Sequence, residues 1–272
     1  MTFTLPELDD RVTWSIHILD ADTRQVAATH HSDTVCRTAS IGKVFLLIDV
    51  ARRIVDGRLD PHRLIEIPEE HVVEDSGLLY RMFEQRITAY DAALLVGAVS
   101  DNLATNALIH LCGLDSVHAV AAELGYKDTA LLDYIRNERG PGLPWTPSYG
   151  TAAELSDLMI RLNRDEILNK SVCGLVSRWL AADTDTSMVA AGFLLDPLAH
   201  DEPEYQGMEL RHKTGSTSFA RADIGILNGP ARSVAYAVAA NWSDESGDLR
   251  ALVLGAMHRI GDSIRVLVTG LP

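Results

Sequence analysis

The chain has 272 residues, 47% of them apolar, and no long low-complexity tract, so it is long enough for one large domain or two interlocked ones around a substantial core. A formal net charge of -14 repels phosphate backbones and anionic membranes, which argues against a nucleic-acid partner. No run of 18 apolar residues occurs, so no membrane span is expected.

Residues 1–6 carry neither a basic segment nor an apolar one, so no secretory signal is expected here. The expectation is a cytoplasmic protein, or an exported one whose signal has been removed. Val12 to Leu19 alternates and favours β structure; Asp20 to Thr23 is turn chemistry, and Val26 to Thr29 offers a return strand. His30 and His31, as neighbours on a strand, would face opposite sides. From Ser40 onward Val44 to Val50 is apolar almost all round, which predicts a buried helix ended by Gly57.

Thr88-Ala89-Tyr90-Asp91 resembles a capping box and opens a helix through Val99. Leu103 to Cys112 and Ser116 to Leu124 are helical and finish at Gly113 and Gly125. Residues 126–150, with three prolines and three glycines, predict a long irregular loop of the kind that carries function. Thr151 to Glu154 restarts a helix reaching about Leu162. After Pro197, Met208 to Lys213, Ala222 to Leu227 and Ser233 to Asn241 are strands, with turns at Asn228-Gly229 and Asp244 to Gly247. Leu249 to Val266 is a closing amphipathic helix. The strand-rich ends pair into one sheet and the middle helices form a second lobe. This divides the chain into a sheet lobe of residues 1–43 and 195–272 and a helical lobe of residues 44–194, with a cleft between them.

Three short runs carry the chemistry: Ser40-Ile41-Gly42-Lys43, Ser100-Asp101-Asn102 and Lys213-Thr214-Gly215. Ser40 and Lys43, at i and i+3, share a helix face, so an amine can reach a hydroxyl that needs a base. A lysine serves as base only when burial or a nearby cation lowers its pKa, and Lys213 can be that cation. Ser100 can carry a proton to a leaving nitrogen, and Asn102 offers a donor and an acceptor to an amide. Lys213 on a strand beside a cleft suits a carboxylate. Gly215 allows close backbone approach, and the Ser216 N–H can complete an oxyanion hole with that of Ser40. Each run also has a plain structural reading: a surface lysine at a helix start, a capping turn, an edge-strand lysine before a bend.

Together, in this order, the runs resemble the signature of the penicillin-recognising serine enzymes, and among them the class A β-lactamases. Asp75-Ser76-Gly77-Leu78-Leu79 also resembles that family's segment ahead of Ser-Asp-Asn. The resemblance implies an α/β (α+β) fold: a five-stranded antiparallel sheet flanked by helices, plus an all-α lobe. It implies that Ser40 is acylated, that Lys43 and Ser100 move protons, and that Asn102 orients substrate. Lys213 and Thr214 would hold the substrate carboxylate, and Ser40 and Ser216 would supply the oxyanion N–H groups.

Three departures stand out. The family's water-activating glutamate is represented only by Asp133, in Asp133-Tyr134-Ile135-Arg136-Asn137, one methylene shorter. Asp133 is a candidate base and Asn137 a candidate substrate ligand; alternatively, Asp133 caps the loop or pairs with Arg136. Only about ten residues precede the first strand, where the family has a full helix. Ser218 to Arg221 follows no assigned pattern, and Arg221 is either a carboxylate ligand or a surface arginine.

Cys36, Cys112 and Cys173 are too widely spaced for a disulfide scaffold. No His-Glu-x-x-His, Cys-x-x-Cys, Gly-x-Gly-x-x-Gly or P-loop occurs, so neither metal nor cofactor is expected. The expected activity is a serine hydrolase opening a β-lactam or related cyclic amide. The alternatives are a D,D-peptidase, amidase or esterase, or a penicillin-binding sensor that stays acylated. The expected partner is a small-molecule amide or ester.

Overall fold

In the computed structural model, which describes residues 3–200 and 207–271, alternation in the strands decides which face each layer covers. Five strands form an antiparallel sheet in the order β2-β1-β8-β7-β6. They are β1 (Thr13–Asp20), β2 (Val26–His30), β6 (Glu209–Thr217), β7 (Ala220–Asn228) and β8 (Ser233–Asn241). On one face Trp14, Ile16 and Ile18 of β1 meet Val234, Tyr236 and Val238 of β8. Helix α7 (Arg250–Thr269) and a short helical turn, Val189–Phe193, cover them. On the other face β8 presents Ala235, Ala237 and Ala239, small side chains against which α5 (Ala152–Asn163) packs. This alternation puts large residues under α7 and small ones under α5.

The remaining helices are α1 (Lys43–Val55), α2 (Ala89–Val99), α3 (Asn102–Cys112), α4 (Leu114–Glu123) and α6 (Lys170–Leu180). Helix α1 is buried at every residue from 43 to 51, as its apolar run predicts, and α2, α3, α4 and α6 surround it. Thr88 caps α2 by accepting from the Asp91 N–H at 3.1 Å, and Thr151 caps α5 by accepting from that of Glu154 at 3.3 Å. Three short strands, β3 (Cys36–Arg37), β4 (Ala130–Leu131) and β5 (Ser148–Gly150), make a second sheet in the order β3-β5-β4.

One core cluster runs from α1 through α6 onto the α5 face of the sheet, and residues 189–193 pack with α7. His30 and His31 do not diverge. His31 has left the strand at φ +46°, and the two rings lie 4.3 Å apart. Ahead of β1, Phe3, Leu5 and Leu8 lie in chain without helix or strand and pack against the α7-side core. The three cysteines are buried and free, and burial pushes the Cys36 thiol up to about 11.

Candidate active site

Ser40 sits in a tight turn, Ala39–Gly42, that runs directly into α1. Ala39 holds a left-handed φ of +50°. The turn is fixed from two sides. The Ser148 hydroxyl of β5 donates to the Ala39 carbonyl. From the other side β6 approaches so closely that a Cβ at Gly215 would lie 2.2 Å from the Thr38 carbonyl oxygen and 3.0 Å from the Ser40 nitrogen. Only glycine fits there, and the close approach sets the backbone of β6 beside the Ser40 N–H.

Lys43 is fully buried. Its Nζ donates to the Ser100 carbonyl at 2.6 Å, the Ser100 hydroxyl at 3.1 Å and Asn102 Oδ1 at 2.8 Å. Burial, and then the positive charge of Lys213, hold its pKa well below the usual lysine value, against the pull of Asp101, Asp183 and Asp75. A neutral Nζ has two hydrogens and one lone pair. With the Ser100 carbonyl and Asn102 as acceptors, the lone pair is left for a hydroxyl proton.

Ser100 is the left-handed cap of α2, at φ +54°. The next residue starts α3, and Asp101 is its cap, accepting from the Ala104 N–H at 2.9 Å. Its other oxygen takes the N–H groups of Leu78 and Leu79 at 2.7 Å each, and the Asn102 N–H binds the Ser76 carbonyl at 3.0 Å. The Asp75-to-Leu79 segment is thereby tied to the Ser100 turn.

Lys213 is buried on β6, with its Nζ 3.1 Å from Asp183 Oδ2, which also accepts from the Thr214 N–H at 3.2 Å. Asp183 lies in the chain after α6 and carries no sequence signal.

Loop 126–150 is pinned by Asn106, one turn beyond Asn102 on α3. The Asn106 side chain bonds both the N–H and the carbonyl of Ile135 at 2.8 Å. The His71 ring stacks on Tyr134 at 4.0 Å. Asp133 is not among the residues that line the cleft; it is held in an arginine clamp. Arg136 donates to both of its oxygens at 2.9 Å, Arg139 adds a third bond at 3.1 Å, and the Tyr134 N–H a fourth at 2.8 Å. Burial works to raise the Asp133 pKa, but the arginines hold it below the usual carboxylate range. Arg221 is likewise directed elsewhere: it donates to the carbonyls of Thr217 and Ala220 in its own hairpin and lies 6.0 Å over the Trp242 ring.

Ser40, Ser100, Asn102, Thr214, Gly215 and Ser216 all line one cleft of about 1040 Å³. Asn137 lines it too, on the exposed loop, while Lys43 and Lys213 lie buried against Ser100 and Thr214. Asp133 and Arg221 are set apart from this group. Asp185, half-buried beside Thr214, also lines the cleft and was not anticipated. No group of metal-ligating side chains occurs among the described residues.

The model of the β-lactamase enzyme family matches residues 7–263. The chain belongs to that family. Among solved structures, this family member is similar to the β-lactamase from Sphaerobacter thermophilus DSM 20745, at 25% identity and TM-score 0.82, covering 96% of this chain and 93% of that one. It is also similar to PBP-A, at 17% identity and TM-score 0.81 over 97% and 92% of the two chains. An ancestral class A β-lactamase matches at 21% identity and TM-score 0.75 over 93% of each. A search of curated proteins finds no match. The chain has the class A β-lactamase fold, a five-stranded antiparallel sheet with helices and a helical region.

Proposed function

We propose that this β-lactamase-family chain opens a β-lactam or related amide by forming an acyl-enzyme at Ser40. The observation that supports this best is the Lys43 amine, buried, depressed in pKa and bonded to Ser100 and Asn102, which line the same cleft as Ser40. In this reading Ser40 Oγ attacks the amide carbonyl as its proton passes to Lys43 Nζ. The N–H groups of Ser40 and Ser216 take the charge on the carbonyl oxygen. The C–N bond then breaks and the leaving nitrogen receives a proton from the Ser100 hydroxyl, which Lys43 replenishes. The solved PBP-A structures include a variant held as an acyl-enzyme with penicillin G, which lends the reading support from a distant relative.

Intact-protein mass spectrometry with nitrocefin tests it. A mass increase of one opened lactam per chain is expected, lost in Ser40→Ala; a wild-type chain that gains no mass at high lactam concentration overturns the reading.

The arginine clamp favours slow release. Asp133 has both oxygens occupied and is not free to take a proton from water. Asp133→Asn is therefore expected to lower stability by about 2 kcal/mol, because two guanidiniums lose their counter-charge. The lifetime of the acyl adduct should change by less than about threefold, against the ~100-fold or more expected for loss of a general base. Thermal unfolding and adduct-decay curves on the same sample separate the two effects.

A further inference from the structure

The cleft wall on the β5 side of Ser40 carries a cation that the acyl-transfer groups do not use. Arg37 of β3 lines the cleft beside Ala39, Ser40, Trp145 and Pro147. Its backbone is fixed on both edges. β3 pairs with β5 at Tyr149, and the Asn241 side chain at the end of β8 accepts from the Arg37 N–H at 2.7 Å and donates to its carbonyl at 3.0 Å. The guanidinium lies over the exposed Trp145 ring, 5.7 Å from its centre. Among the described residues that ring is its one partner: no carboxylate pairs with it and no carbonyl accepts from it. Its planar fork of N–H donors is open to an acceptor in the cleft. Trp145 is held against the Ser40 turn, because the Thr146 hydroxyl donates to the Ser148 carbonyl at 2.9 Å and the Ser148 hydroxyl donates to the Ala39 carbonyl.

The other charges lining the cleft are committed or stand elsewhere. Arg136 and Arg139 are bound to Asp133, and Glu138 between them does not line the cleft. Asp75 belongs to the segment tied to the Ser100 turn. Asp185 accepts from the Ser187 hydroxyl at 2.6 Å and lies beside Thr214. In the acyl-enzyme reading Ser100 serves the leaving nitrogen. The acyl part of the substrate is then left the wall that Arg37 and Trp145 form.

We propose that Arg37 is a specificity-determining residue whose guanidinium, held on Trp145, takes a carboxylate on the acyl side of the substrate, so that the preferred substrate is a lactam or related amide with an anionic acyl side chain. This deepens the acyl-enzyme reading and rests on it. A carboxylate matches the guanidinium fork with two parallel N–H···O bonds, whereas an ammonium at the same place meets a like charge. The bond-making at Ser40 is unchanged; Arg37 acts on which acyl group is held while it happens.

The test compares benzylpenicillin with its two derivatives that carry a carboxylate or an ammonium in place of one hydrogen on the side-chain methylene. The ring carboxylate is common to all three, so only the acyl side varies. Acylation rates of the full chain at low probe concentration are read by quenched intact-mass measurement. The expected order is carboxylate, hydrogen, ammonium, with about tenfold between the ends. The spread should shrink as salt rises. Arg37→Gln should bring the three rates within about twofold to threefold of one another, and Arg37→Glu should reverse their order. Arg37 is exposed, so both variants should fold, which circular dichroism checks. A spread unchanged in Arg37→Gln overturns the proposal. So does an equal slowing of all three probes, which would put Arg37 on the carboxylate they share. Wild-type rates within twofold of one another, with Ser40 acylated by each probe, sink the specificity inference and leave the acyl-enzyme reading standing. If no probe adds mass at Ser40, the acyl-enzyme reading fails, and this inference with it.

Discussion

Lys43→Met is expected to reduce the rate of Ser40 acylation by about 10³-fold or more while leaving the chain folded. Methionine fills nearly the same buried volume without a charge, so the core around α1 keeps its packing, though the Ser100 carbonyl and Asn102 Oδ1 each lose a donor. The base disappears together with these two donated bonds. Lys43→Arg separates this from simple loss of a contact, because a guanidinium can still donate to both acceptors but cannot take a proton at any working pH. Both variants should be inactive, and circular dichroism should show both folded. In the wild-type chain the acylation rate should rise with pH and level off below the ordinary lysine value of 10.5, since burial and Lys213 both favour the neutral amine. The rising limb belongs to Lys43 losing its proton. An acylation rate in Lys43→Met within tenfold of wild type would remove Lys43 from the proton path.

What the sequence made legible divides by the range of the interaction. The motif residues carry short-range signals: Ser40 and Lys43 are one turn apart, and Asp101 caps the helix that begins at Asn102. The strand faces were legible too, because period-two alternation survives in β1 and β8. The partner of Lys213 was not, because Asp183 meets it only after the chain has passed from α6 to β6. Helix α6 passed unremarked although Asn169 caps it and Val172, Cys173, Val176, Trp179 and Leu180 repeat at helical spacing. Strands β3, β4 and β5 are two or three residues long, too short for any alternation to register. In loop 126–150 the open alternatives for Asp133 turned on Arg136. The second arginine, Arg139, lies six residues along an irregular loop, where sequence spacing says little about contact. Arg221 shows the same limit: whether an arginine reaches a cleft or folds onto its own hairpin depends on the rotamer, and Trp242 on the neighbouring strand end offers it a face.

Gly215→Ala tests whether the oxyanion site depends on how closely β6 lies against the Ser40 turn. The added methyl would stand 2.2 Å from the Thr38 carbonyl oxygen, a backbone atom that no rotamer change can move. Thr38 itself is anchored, its N–H on the Ser148 carbonyl at 3.3 Å and its hydroxyl 2.9 Å from that of Ser148. The Ser40 turn is therefore held on the β5 side, and β6 is the element that must shift. A movement of about 1 Å separates the N–H of Ser216 from that of Ser40, and loss of one oxyanion donor lowers rates by about 10² to 10³. The expected result is acylation slowed by at least about 100-fold, with stability lowered by about 1–3 kcal/mol from overpacking. Burial is the larger cause of the depressed Lys43 pKa and the charge of Lys213 on β6 the second, so a strand displaced by about 1 Å should move the pH at which acylation levels off only slightly. A slowed rate with a nearly unmoved pH profile assigns the loss to the oxyanion site. A large shift in the profile would mean that the position of Lys213 dominates the Lys43 proton affinity, and full activity would mean that the backbone contact has no part in the reaction.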